Sequence, residues 1–108
     1  MTLDRLGSAD ILRGTTGLLD VTVLVDGVPT DPDPGPTPLV TVLEGAGGIL
    51  VPPAVPFVMG GGSGTLRLVL TLDLTAQVND LVAMWTFTVG GAAQATATYH
   101  RIVGDVLF

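Results

Sequence analysis

His100 is the only histidine in this 108-residue chain and there is no cysteine, so any imidazole chemistry has to start there. A hydrolytic triad needs a nucleophile beside that base and an acid to orient it. The hydroxyls on offer are mostly threonines inside strand-like runs, while Ser8 and Ser63 stand in glycine-bearing segments, so no such set assembles. His100 belongs to the polar face of an alternating run and reads as solvent-facing. Asp26, Asp31 and Asp33 supply the oxygen donors that calcium prefers. They lack the spacing and the closing bidentate glutamate of a calcium loop, and read as solvated turn carboxylates. Gly60-Gly61-Gly62-Ser63-Gly64-Thr65 resembles a phosphate loop in composition only, since no lysine precedes the threonine and a strand follows it where a helix is needed. Nor do two carboxylates share an apolar setting of the kind glycoside hydrolysis requires. The residue chemistry predicts a non-enzymatic protein with no cofactor, no metal and no small-molecule substrate.

Composition narrows the partners. The net charge is −6, and the four basic residues, Arg5, Arg13, Arg67 and Arg101, are too few and too scattered to form a phosphate-tracking stripe. Nucleic acid and anionic membranes are therefore not expected as partners. Charged residues make up 13% of the chain, about half the usual share, whereas apolar residues reach 47%. A small domain this short of charge leaves apolar surface exposed, which marks contact with other proteins. Residues 45–66 carry no charge over a span long enough for a bilayer, but Pro52, Pro53, Pro56 and the Gly60–Gly62 run break any helix there. Asp4 and Arg5 stand where a secretory leader needs an apolar core.

Any function must then rest on the elements that display this surface. Residues 1–17 differ in character from the rest, with Leu3, Leu6, Ile11 and Leu12 loosely spaced around Gly7 and Gly14, and are expected to form an arm. A single domain is predicted over 18–108. Leu19–Val25 alternates as a strand with Val21, Val23 and Val25 on one face, and Asp26-Gly27 marks a turn. The proline-rich 28–38 stretch predicts an extended loop. A strand follows at Leu39–Glu44, then an edge or irregular strand within 49–58, interrupted by prolines, and a glycine-rich tip at 59–64. In Thr65–Asp73, Leu66, Leu68, Leu70 and Leu72 share a face.

From Asp80 to Gly104 the chain reads as a β-hairpin with Gly90-Gly91 between its arms. Leu81, Ala83, Trp85, Phe87 and Val89 share one face of the first arm. Ala93, Ala95, Ala97 and Tyr99 alternate with Gln94, Thr96, Thr98 and His100 on the second. Matching apolar to apolar predicts a three-residue loop, Val89-Gly90-Gly91, placing Trp85 opposite Ala95 and Phe87 opposite Ala93. The whole pattern predicts an all-β fold, an antiparallel immunoglobulin-like β-sandwich with an N-terminal arm.

The stretch from Asp80 through Trp85 to Gly90-Gly91, its Ala/Thr-rich return strand and the Ile102-Val103-Gly104 ending resemble the close of immunoglobulin-like domains in virion proteins of tailed bacteriophages, particularly those of actinobacteria. Asp26-Gly27-Val28-Pro29 is similar to an early turn of the same domains. Ile102 through Phe108 resembles the junction that leads, in several of them, into the helical part of a head–tail connector. The resemblance implies a structural virion protein at the head–tail connector or on the capsid surface. It implies a multi-copy symmetric assembly with capsid, portal or connector subunits as partners, and host cytoplasm as the site before assembly. The residues expected at its interfaces are Leu3, Leu6, Ile11, Leu12, Phe57, Met59, Val106, Leu107 and Phe108. The alternative is an autonomous module recognising a host-surface ligand such as glycan through exposed Tyr99 and Phe57.

Overall fold

The computed structural model describes residues 10–45 and 47–104. These form ten strands and no helix: β1 Asp10–Leu12, β2 Gly17–Thr22, β3 Leu24–Val25, β4 Val28–Pro29, β5 Leu39–Glu44, β6 Ile49–Ala54, β7 Phe57–Val58, β8 Thr65–Leu70, β9 Asn79–Val89 and β10 Ala92–Val103. One sheet has the order β1-β10-β9-β5-β6, a second β2-β8-β7, and β3-β4 is a separate hairpin. Among the described residues every pairing is antiparallel except that of β1 with β10. The protein is a β-sandwich.

Alternation drives this layering. Leu19, Leu66 and Leu70 from the smaller sheet meet Val40, Val42, Leu81, Ala83, Trp85 and Ile102 from the larger, all essentially solvent-free. Each buried aliphatic side chain of this kind contributes about 1.5–3 kcal/mol. Leu68 packs against this core as well, but β8 ends at Leu70, so Leu72 lies in the following turn and is exposed. In the first strand Leu19 and Val23 are buried and Val21 is half-buried. Val25 is exposed because the chain leaves the sheet after Thr22 to form the β3-β4 hairpin. Asp26 and Gly27 both take positive φ, as a two-residue hairpin turn requires. The proline-interrupted stretch becomes two edge strands, β6 on the larger sheet and β7 on the smaller, so the chain changes sheets between them. Pro52 and Pro53 are tolerated because, among the described residues, β6 pairs on one side only, with register shifts.

The segment expected as an arm divides. Residues 1–9 lie outside the described residues, Asp10–Leu12 forms β1, and Gly17 opens β2. Ile11 is buried against Gly17, where a Cβ would come within 2.9 Å of its Cδ1. The missing side chain of Gly17 is what admits Ile11 to the core.

The hairpin register differs from expectation. Val89 pairs with Ala92, and Trp85 lies opposite Thr96, not Ala95, while Phe87 lies opposite Gln94, not Ala93. The loop is therefore two residues, with φ of 58° at Gly90 and 82° at Gly91, the pair of positive angles whose twist matches that of the strands. Matching apolar to apolar presumed that β10 is covered along its whole inner face. It is not: Ala92 to Thr96 are exposed on both faces, so burial imposes no choice there and the turn decides.

Two aspartates hold that turn and its neighbour in place. The Asp33 carboxylate accepts from the N–H of Gly90 at 3.1 Å and of Gly91 at 2.8 Å, and the Asp33 N–H donates to the Thr88 carbonyl at 2.7 Å. The Asp31 carboxylate accepts from the N–H of Gly62 at 2.9 Å and of Gly64 at 2.8 Å. The expected solvated carboxylates are thus clasps: one loop ties a glycine turn of each sheet. Asp33→Ala should lower unfolding free energy by about 1–3 kcal/mol, and Asp33→Asn by less because one acceptor remains. Urea denaturation read by Trp85 fluorescence tests this, and equal losses for the two variants would contradict it.

Candidate functional site

The register puts Gln94, Thr96, Thr98 and His100 on the same face as Trp85, toward the sandwich interior. His100 is consequently buried, at 8% exposure, and not solvent-facing as its polar neighbours suggested. The Trp85 indole N–H donates to the Thr98 hydroxyl at 2.9 Å, and that oxygen lies 2.7 Å from His100 Nε2. Thr98 thereby links two ring nitrogens that the low-dielectric interior would otherwise penalise. The Thr98 hydroxyl next to the imidazole also accepts from the indole, an arrangement that ties β9 to β10 inside the core. Among the described residues no three His, Asp or Glu side chains converge in a way that could hold a metal.

The titrations that move are at the surface. A hydrogen bond from Thr71 lowers Asp73, and hydrogen bonds to Asp20 and Asp10 raise Arg67 and Arg101. The Arg67–Asp20 pair is bidentate, with both bonds at 2.8 Å.

The larger sheet's outer face is the most distinctive surface. Cross-strand pairing aligns Tyr99, Val82, Leu43 and Ile49 in one row over four strands, Ala97, Met84 and Thr41 in the next, and Ala95, Thr86 and Leu39 in a third. Tyr99 is 67% exposed, Ile49 61%, Met84 40% and Leu39 38%. No charged side chain interrupts these rows, and the charges begin only at the Asp10–Arg101–Asp80 row at one end. The alanines and threonines on β10 and β9 keep this face flat.

The residues expected at interfaces scatter. Leu3, Leu6, Val106, Leu107 and Phe108 lie outside the described residues. Ile11 is spent on the chain's own core, which corrects its expected interface role. Leu12 is exposed on β1 in the larger sheet, while Phe57 and Met59 are exposed at or beside β7 in the smaller. The described members therefore form no single patch. The outer-face rows escaped sequence reading because the expected register turned Tyr99 and its alanines inward. The short arm of alanine and threonine was the available signal, since such a strand covers little core. Compared with protein-family models and with curated proteins, the chain matches none.

Proposed function

We propose that this chain is a non-enzymatic structural protein of a tailed-phage particle, at the head–tail connector or on the capsid surface. It acts there through protein–protein contacts in many copies, with capsid, portal or connector subunits as neighbours. The phage setting comes from the resemblance of the hairpin and its Val-Gly ending. The observation that carries the contact role is the uncharged, apolar outer face around Tyr99, Met84, Leu39 and Ile49, in a protein of net charge −6. Excess negative charge repels acidic neighbours everywhere except on such a strip, and burying its apolar area drives association. The interior use of His100 and Thr98 supports the non-enzymatic reading.

Mass spectrometry of purified particles should find the chain at many copies, and its absence would end the proposal. A Tyr99→Glu/Met84→Glu double variant should lose incorporation by about tenfold or more, which corresponds to about 1.4 kcal/mol of contact energy. Its unfolding midpoint should barely change, because both side chains point away from the core. Undiminished incorporation would remove this face from the proposal. Recognition of glycan is not favoured: Tyr99 stands on the larger sheet and Phe57 on the smaller, so they cannot form one aromatic platform.

A further inference from the structure

The smaller sheet also turns an apolar face to solvent, on the side of the sandwich opposite the Tyr99 rows. Leu19, Leu66 and Leu70 point inward, so the residues that alternate with them point out. Cross-strand pairing sets Leu18 beside Val69, then Asp20, Arg67 and Phe57 in one row, then Thr22 beside Thr65. Met59 extends the last row, its N–H donating to the Thr65 carbonyl at 2.9 Å. Leu18, Val69, Phe57 and Met59 are all exposed. Asp20 and Arg67 are the only charges in these rows, and they cancel through their two 2.8 Å bonds.

The other charges lie elsewhere. Asp26, Asp31 and Asp33 occupy the loops at one end of the strands. Asp10, Glu44, Asp73 and Asp80 gather at the other end, with Arg101. The sandwich thus carries two apolar faces of zero net charge, back to back, between acidic ends, in a chain of net charge −6.

This distribution decides what can cover the faces. Copies of an acidic chain repel one another, and like charges set against each other exclude a partner. Face-on contact between copies brings neutral rows together and leaves the acidic ends in water. We propose that copies of this chain stack face to back, the larger sheet's outer face of one against the smaller sheet's outer face of the next. This names a second copy as the partner on the Tyr99 face, and it rests on the contact role proposed above. The two faces differ, so the contact is heterologous and repeats into a ring or a filament. Phe57 and Met59 then belong to the second of two contact faces, which is why they share no patch with Tyr99. Three rows over three strands measure about 14 by 20 Å, well short of the about 800 Å² per partner that a stable pair buries. One such contact is weak, and each copy inside the array makes two.

The chain has no cysteine, so single thiols report the contact. Thr86→Cys marks the larger face and Val69→Cys the smaller, each on an inner strand of its sheet. The two purified variants, mixed at about 1 mM and treated with a short thiol crosslinker, should give mixed dimers at least about tenfold in excess of either self-linked product. Mainly self-linked Thr86→Cys dimers would overturn the stack in favour of a two-fold pair. Crosslinking no greater than in the urea-unfolded mixture would overturn it too, and would leave the Tyr99 face to a different subunit. Particle incorporation tests the contact role separately. A charge cycle gives a second measurement. Arg67→Gln leaves Asp20 uncompensated within the contact and should weaken self-association, followed by sedimentation velocity, by about tenfold. Asp20→Asn/Arg67→Gln restores neutrality and should recover most of it. Equal losses in the two variants would overturn the proposal, because neutrality would then not be what admits a second copy.

Discussion

Trp85→Ala should lower the free energy of unfolding by about 3–5 kcal/mol, the range for truncating a fully buried large aromatic. Trp85 has no solvent exposure and packs at the centre of the cluster formed by Leu19, Val40, Leu66, Leu81 and Ile102. Small domains have total stabilities of about 5–15 kcal/mol, so the loss takes up a large part of what holds this fold. Two effects add in this substitution: the cavity, and the loss of the donor that satisfies Thr98. Trp85→Phe separates them, since it keeps most of the volume and removes the N–H. We expect it to cost about 1–3 kcal/mol, mainly through loss of the hydrogen bond to the Thr98 hydroxyl and a smaller cavity. Thermal and urea unfolding of both variants, followed by far-ultraviolet circular dichroism, check the ranking. A Phe variant as unstable as the Ala variant would show that the hydrogen bond, and not the packing, dominates.

Gly64→Ala should be the second most damaging single change, at about 2–5 kcal/mol from left-handed strain and backbone overlap together. Gly64 has φ of +67°, and a Cβ there would stand 2.6 Å from the Val23 carbonyl oxygen and 2.7 Å from the Thr30 nitrogen. Neither neighbour can give way. Val23 N–H donates to the Gly64 carbonyl at 2.7 Å, and Thr30 N–H donates to the Val23 carbonyl at 2.9 Å, so the displaced atoms belong to the joint that fastens β2, the β3-β4 hairpin and the start of β8. Gly61 is the control. Its φ is +66°, almost the same, but nothing lies within 4 Å of its added Cβ. Gly61→Ala should therefore cost only the conformational part, about 1–2 kcal/mol. If the two variants unfold at the same urea concentration, steric contact at Gly64 is not what matters.

The tip from Met59 to Gly64, read from composition as a flexible stretch, thus contains one of the most constrained positions in the molecule. Glycine enrichment signals either freedom or close approach, and the two cannot be separated without knowing what lies opposite. The same ambiguity affects Asp31 and Asp33. Their acidity is plain in the sequence, but their partners are backbone N–H groups 31 to 58 residues further along, which carry no residue-type signal at all.

Local pattern determined a good deal by itself. Leu39–Glu44 as a strand, the Asp26-Gly27 turn, the alternation of Leu66, Leu68 and Leu70, the edge placement of the proline-rich stretch and the existence of the final hairpin all follow from periodicity and turn chemistry, which act over a few residues. The all-β sandwich follows from their sum. The register of the hairpin, the burial of His100, the clasps at Asp31 and Asp33, and the uncharged face that carries Tyr99 were decided only in three dimensions. Each depends on whether a second sheet covers a given stretch of β10, and on groups brought together from distant parts of the chain. Alternation specifies two faces for a strand; only packing decides which of them is the inside.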